Sequence, residues 1–444
     1  MERRIKELIL DKDFKKLKNE VNEINEMDLA EILADFAADD LAKVIRIMPK
    51  DKAARVFAEF EVDVATKLLK YLSDVEIVKL FDEMSADDAT DLLEEMPANI
   101  VARILKNCHE DTRKDINKLL NYKDESAGSI MTVEYPQFKE DIRIEDAINK
   151  LKKNKEYYET IHTCYVINNE RILLGRVEIE DLLFNDKKTF IKDIFNDDII
   201  YVNTNTDQEE VAAIFKKYDF TVMPVVDSEK RLVGIITVDD VIDVLEEEVT
   251  EDIKKMAAII PGDKSYSRTG VFDLFKSRIP WLMLLMVSAT FTGGIIKSFE
   301  AKLASYTILT AFIPMLMDTG GNAGGQASVS VIRALSLNDI EFSDIFKVWW
   351  KEVRVAFLCA LILAICNFIK LLVIDGVSTL VAFTVCITLC TTILLAKSIG
   401  CMLPMLAKKI GFDPAVMASP FITTIVDACS LLIYFQVASL VLGI

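Results

Sequence analysis

Two carboxylates stand in stretches that are otherwise apolar enough to cross a bilayer. Asp427 is centred in SPFITTIVDACSLLIYF, and Asp318 immediately precedes TGGNAGGQAS. A carboxylate in hydrocarbon is expensive, so by default it marks an ion path or a proton path. Asn322 and Gln326 share a helix face at i, i+4 and add polar side chains there. Gly320, Gly321, Gly324 and Gly325 permit close helix approach or a local opening of the backbone. Asp427 as a mere interhelical hydrogen-bond partner would need a mate. Lys370 and Lys397 are the basic candidates, each nearer an end of its segment. With Thr423, Thr424 and Ser430 close in sequence, Asp427 better suits a water-filled cation path. Asp/Glu oxygens suit hard divalent cations, and Mg²⁺ dehydrates reluctantly, so such an ion would be held through its hydration shell. A symmetric dimer would place two copies of Asp427 about a shared axis.

A second set of acids lies outside the apolar stretches. In DDVIDVLEEEVTEDIKKM, Asp240, Asp243, Glu247 and Glu251 step by three and four, with Glu248 and Asp252 alongside. That face is costly without counter-ions, and we expect it to bind divalent cations rather than serve only as a solvated connector. Asp87, Asp88 and Asp91 form a smaller group in which positions 87 and 91 share a helix face. There is no nucleophile–base pairing, no P-loop and no Gly-rich dinucleotide turn, so an enzyme is not expected. His109 and His162 are the two histidines, and the eight cysteines form no CxxC or zinc spacing. We take them as small buried apolar residues.

The elements that carry these residues divide the chain of 444 residues. A mean hydropathy of +0.26 beside 27% charged residues does not fit one soluble globule. Residues 275–444 hold 9 acids and 12 bases, whereas residues 1–274 hold 61 and 40, a net of −21. That charge disfavours nucleic-acid binding. Met1–Glu20 is charged and has no apolar core, so the first part is expected in the cytosol. There, bulky apolar residues recur every twelve positions as Phe36, Met48, Phe60, Leu72, Met84 and Met96. Apolar residues five and nine positions on describe one face of a short helix after a turn, so six units build an α-solenoid of helices about ten residues long. Pro49 and Pro97 fall where such helices begin, and Asp39, Asp51, Asp63, Asp87 and Asn99 lie near their N-termini.

From about residue 126 a pattern occurs twice: short strand, amphipathic helix, apolar strand, charged turn, Gly-bearing strand and acidic helix, with Gly175 and Gly234 equivalent. This resembles a tandem pair of cystathionine-β-synthase (CBS) domains. Such pairs often bind adenine nucleotides through G-x-x-[ST]-x-x-D, which the second copy keeps as Gly234, Thr237 and Asp240. The first copy has Gly175, Glu178 and Asp181, where a carboxylate would repel phosphate; ATP binding is thus implied at one half-site. Five apolar stretches follow, near 279–298, 306–333, 354–374, 378–406 and 415–441, each long enough to span. Lys276, Arg278, Arg333, Lys347, Lys351, Arg354, Lys408 and Lys409 flank the ends expected to be cytosolic, against Lys297 and Lys302 in the first outer loop. An odd number of spans puts the C-terminus outside. NDIEFSDIFKVWWKEVR is expected along the inner interface, anchored by Trp349 and Trp350.

RIPWL, Pro314 followed by GGNAGGQAS, and DPAVMASPFITTIVD (Asp413 to Asp427) look like motifs of the MgtE family of bacterial magnesium channels, which the whole chain resembles. The resemblance implies a multidomain chain. Residues 1–125 are an all-α superhelical N domain, 126–188 and 189–250 the α/β CBS domains, 251–276 a gating helix with its linker, and 277–444 an α-helical transmembrane domain of five spanning helices. It implies a homodimer in the inner membrane with the pore at the dimer axis. Asp427 matches the pore carboxylate, aided by carbonyls near Thr423, and Asn322, Gln326, Asp318 and Asp413 are grouped with it. Asp240, Asp243, Glu248, Glu251 and Asp252 match regulatory Mg²⁺ ligands, with Asp87, Asp88, Asp91 and Glu209 completing those sites. Ser419 and Ser430 stand where many members have glycine. The expected function is Mg²⁺ conduction, gated by cytosolic Mg²⁺. Alternatives are a secondary transporter of divalent cations and a non-transporting membrane Mg²⁺ sensor.

Overall fold

The computed structural model describes all residues except 156, 263–265, 267–268, 300–305, 418 and 444. Lys302 and the side chain of Ser419 therefore lie outside the described residues. Two compact units emerge, Met1–Glu246 and Glu247–Ile444.

In the first unit, ten helices of eight to ten residues run from α1 (Glu2–Leu10) to α10 (Glu110–Leu119). Helices two apart in sequence pack together. Thus α3 (Glu26–Ala34), α5 (Lys50–Ala58), α7 (Asp74–Asp82) and α9 (Ala98–Asn107) form one row, and α2 (Phe14–Glu23), α4 (Ala38–Ile47) and α6 (Val62–Leu69) another. The six bulky repeat residues are all buried between the rows, as the twelve-residue period requires. The array extends beyond six units at both ends: α1 and α2 bury Ile5, Ile9, Leu17 and Val21, which keep the twelve-residue spacing in phase with Leu41 and Ile45, and α10 follows the last unit. Pro49 and Pro97 are N-caps rather than first helical residues, and Asp51 and Asn99 sit two positions later. Ser73 closes a capping box with Glu76.

Each CBS copy is a three-stranded sheet. β1 (Gln137–Lys139) pairs parallel with β2 (Thr163–Ile167), which pairs antiparallel with β3 (Leu173–Glu178). β4 (Val202–Asn203), β5 (Val222–Val226) and β6 (Leu232–Thr237) repeat this, with Val166 opposite Gly175 and Val225 opposite Gly234. The crossovers are α11 (Ile144–Lys153) and α13 (Gln208–Tyr218), and α12 (Ile179–Phe184) closes the first copy. The second copy closes with α14 (Val238–Met256), a continuous helix of 19 residues. The position expected for a domain boundary, residue 250, falls inside it.

The second unit holds α15 (Val271–Ser298), α16 (Ile313–Ser336), α17 (Ile345–Val373), α18 (Thr379–Lys409) and α19 (Ser419–Leu442). α18 packs against α16, α17 and α19, while α16 and α15 also pack on α19. Among the described residues, four stretches are long and apolar enough to cross a membrane: Val271–Ser298, Phe342–Val373, Thr379–Lys409 and Pro414–Leu442. The other expected span, α16, misses that measure because four glycines and eight polar or charged side chains, Asp318, Asn322 and Gln326 among them, dilute its apolar residues. Trp349 and Trp350 lie within the first two turns of α17, so the expected separate interfacial segment is the start of a continuous helix. No proline or glycine interrupts it, and a capping box between Glu341 and Asp344 starts the preceding 3₁₀ turn.

Candidate ion path and cation-binding surfaces

The glycines of α16 decide which of its faces can be polar. Gly320, Gly321 and Gly324 are buried, and a methyl group at any of them would meet α19 or α18 at 2.7–2.9 Å. Packing that face turns the opposite one outward, so Asp318, Asn322 and Gln326 form an exposed stripe on the isolated chain. Asn322 Nδ2 donates to Asp318 Oδ1 at 3.2 Å. Hydrocarbon does not tolerate such a stripe, which calls for water or another polypeptide.

Asp427 lies on the ninth residue of α19, about 12 Å from the helix start. The apolar stretch read from the sequence begins near 415, four residues earlier. Residues Pro414–Met417 instead form a separate 3₁₀ turn, and Asp427 is near the middle of the stretch Pro414–Leu442. Its Oδ1 is buried without a hydrogen-bond partner among the described residues, and Asp318 is close enough to repel it. The two lysines considered as mates are engaged elsewhere: Lys397 Nζ is 3.5 Å from Glu352, and Lys370 Nζ is 2.9 Å from Asp375. Thr423 packs against Gly321, and Thr424 Oγ1 donates to the carbonyl of Pro420. Ser430 is fully buried beside Gly320, so the smaller residue at this contact belongs to α16. The structure thus brings Asp318, Asn322, Thr423 and Asp427 to one region but not Asp413. Asp413 caps the 3₁₀ turn through the Ala415 amide (2.7 Å) and pairs with Lys255.

In the first unit, Asp87, Asp88, Asp239 and Asp240 line a cleft of about 370 Å³ with Glu59, Glu159 and Thr237. α8 (Ala86–Glu94) supplies the first two and α14 the second pair. Asp87 is buried, and its Oδ1 has no partner among the described residues. Burial, then Asp88, raises its carboxyl above the usual range. Asp240 is pushed up to about 7 by burial, with Asp87 and Asp239 adding to it against a hydrogen bond from Thr237. That bond, Thr237 Oγ1 to Asp240 Oδ2 at 2.6 Å, ties two of the nucleotide-motif residues to each other. Gly234, the third, lies within β6. Glu134 is pushed up to about 8 by burial, then by Asp87 and Glu159. Asp91 keeps contact with solvent, and the surrounding protein followed by Asp87 raises it, screened by water. Glu209 is exposed on the first turn of α13 and does not line the cleft. Sequence reasoning missed Glu59, Glu134, Glu159 and Asp239; only Asp239, inside the acidic run, carried a local signal.

Farther along α14, Asp243 is exposed, and Glu248, Glu251 and Asp252 are half-buried. Burial, then Asp413, raises the Asp252 carboxyl, which accepts from Ser336 Oγ at 3.4 Å. Lys255 gives the lower part of the run a counter-ion, pairing with Glu251 at 2.7 Å. Among the described residues, no three Asp, Glu, His or Cys side chains converge as a ready metal-holding set.

Family models match the chain along most of its length: "MgtE intracellular N domain" at 24–125, "CBS domain" at 127–187 and 191–247, and the MgtE "Divalent cation transporter" at 313–437. The magnesium transporter MgtE of Thermus thermophilus is 40% identical over 74% of this chain and 73% of its own length. That of Enterococcus faecalis is 35% identical over 73% and 71%. The solved cytosolic domain of the Mg²⁺ channel MgtE in complex with ATP is 34% identical with a TM-score of 0.52, covering 55% of this chain and 100% of that one.

Proposed function

We propose, from the fact that this chain belongs to the MgtE family of magnesium transporters, that it is a homodimeric Mg²⁺ channel opened and closed by cytosolic Mg²⁺. The observation that carries this reading is the juxtaposition of Asp427, which has no basic partner among the described residues, with the exposed stripe Asp318–Asn322–Gln326. Pairing two copies across that stripe removes it from lipid and encloses a wet passage ringed by carboxylates and amides. Mg²⁺, the cargo, passes with much of its water retained, and the Asp427 carboxylates attract it through that shell. With α16 counted as a fifth span beside the four apolar stretches, the odd number and the basic flanks support an inner-membrane protein with a cytosolic N-terminus and an outer C-terminus.

Gating follows from the acidic surfaces. At low cytosolic Mg²⁺ the carboxylates of the cleft and of α14 repel one another and favour spread subunits. At high Mg²⁺ the ions bridge Asp87, Asp88 and Asp91 to Asp240 and Asp243, while Glu248, Glu251 and Asp252 hold the lower part of α14, with Glu209 at the margin. Reversing a 1:99 equilibrium requires about 5.5 kcal/mol of differential binding, within reach of several weak sites acting together. A relative's cytosolic domain was solved with ATP, which supports a nucleotide at the Gly234–Thr237–Asp240 half-site, where Glu178 does not intrude.

Two measurements test the channel. In liposomes, Asp427→Asn is expected to slow Mg²⁺ uptake by tenfold or more, the factor of about 1.4 kcal/mol in ion stabilisation. Unitary currents in planar bilayers are expected from the wild type. Uptake without unitary openings would mean alternating access, and unchanged uptake in Asp427→Asn would remove this carboxylate from the path.

A further inference from the structure

The lower end of α14 meets two parts of its own unit. Met256 packs with Ile332 of α16 and with Ala415, in the 3₁₀ turn that leads into α19. Ser336 Oγ donates to Asp252, so both contacts hold acidic side chains of α14 next to Asp413. Into this group reaches one base. Lys255 Nζ lies 2.7 Å from Glu251 Oε2 and 2.7 Å from Asp413 Oδ2. Burial works to lower its affinity for a proton, but the Asp413 and Glu251 carboxylates hold it above the ordinary lysine range. It is therefore a permanent cation at working pH. Three carboxylates around one ammonium leave a net charge of −2, a field that draws a divalent cation toward the group.

We infer that Lys255 is a tethered competitor: its ammonium occupies the space between Glu251 and Asp413 that a cytosolic divalent cation must enter, and so sets the concentration at which that cation acts. This rests on the reading above that Glu251 and Asp252 bind regulatory Mg²⁺. The same side chain also explains how α14 stays joined to the start of α19 when the ion is absent. Asp413 caps the turn preceding the helix that carries Asp427, so exchanging a flexible +1 side chain for a +2 ion there changes the restraint on that helix. Lysine suits the role because its ammonium is a compact charge on a flexible stem, able to swing out to solvent when displaced.

The test uses the intact protein in detergent, with protease protection of residues 1–260 followed against Mg²⁺. Lys255→Met is expected to lower the Mg²⁺ concentration for half-protection by about two- to fivefold, the range an ion pair of ordinary strength carries. Lys255→Arg is expected to keep it near the wild-type value. A second readout needs no variant: acylation of Lys255, mapped by mass spectrometry, is expected to speed up as Mg²⁺ frees the ammonium. A half-protection point that rises or stays put in Lys255→Met, or Mg²⁺ that slows or leaves unchanged the acylation, would make Lys255 a structural strut and overturn the inference. A wild type indifferent to Mg²⁺ would instead remove the regulatory reading itself.

Discussion

A methyl group added at Gly400 would lie 2.3 Å from the carbonyl oxygen of Gly324, inside any allowed contact, and the obstacle is helix backbone rather than a side chain that can turn away. α16 and α18 touch main chain to main chain here, which fixes the height of Asp318 and Asn322 against their neighbours. Gly400→Ala is expected to destabilise the membrane unit by about 1–3 kcal/mol through overpacking. Gly294→Ala, with nothing within 4 Å on the isolated chain, serves as the matched control in α15. Thermal unfolding in detergent checks this, and equal melting of the two variants would deny the contact its role. At this scale the sequence exposed one partner only. GGNAGG announces itself by density, but Gly400 stands alone between Ile399 and Cys401 and becomes meaningful once the two helices cross. Asp427 was legible because hydrocarbon makes a carboxylate conspicuous. Glu134 and Glu159 were not, since an acid in a soluble loop is ordinary until the fold crowds it against Asp87.

Elements were read most accurately where packing repeats. Bulky residues twelve apart required short helices stacked on their neighbours, and Phe57 shows the result: fully buried, its ring meets Phe60 and Phe81 edge-on at 6.3 and 5.8 Å. Phe57→Ala is expected to cost about 3–5 kcal/mol. In a quasi-one-dimensional array that loss is local, so hydrogen exchange should accelerate across α5 and α7 and leave β5 and β6 unchanged. Uniform acceleration over the whole first unit would mean that array and sheets unfold as one. Elements without repetition were read less well. The start of α19 was placed too early because DPAV is apolar enough to continue a span; its Asp and Pro make a capped 3₁₀ turn instead. The interfacial segment merged with α17 for the converse reason, since Trp349 and Trp350 looked like boundary anchors. Trp349 in fact reaches sideways, its Nε1 donating to Ser398 Oγ of α18 at 3.1 Å.

For the molecule as a whole, the balance between acid repulsion and cation binding turns on pH. Asp240 and Glu134 hold their protons to about 7 and about 8 in the folded protein, whereas in the unfolded chain they release them in the ordinary carboxylate range near 4. Between those limits the folded state binds more protons than the unfolded state, so stability falls as pH rises. Below about pH 4 both states are protonated and the difference vanishes. The penalty is therefore absent in acid, grows from pH 4 upward and is complete above about 8. A divalent cation binding the ionised cleft would offset it, and most strongly at the alkaline end, where no proton competes. Hydrogen exchange of the intact protein without Mg²⁺ is accordingly expected to quicken in α8 and at the start of α14 between pH 6 and pH 8, once the intrinsic pH dependence of exchange is removed. Millimolar Mg²⁺ should restore protection at pH 8 and do much less at pH 6. Equal restoration at both values would mean that the ion acts elsewhere, because protons and Mg²⁺ must compete if they share Asp87 and Asp240.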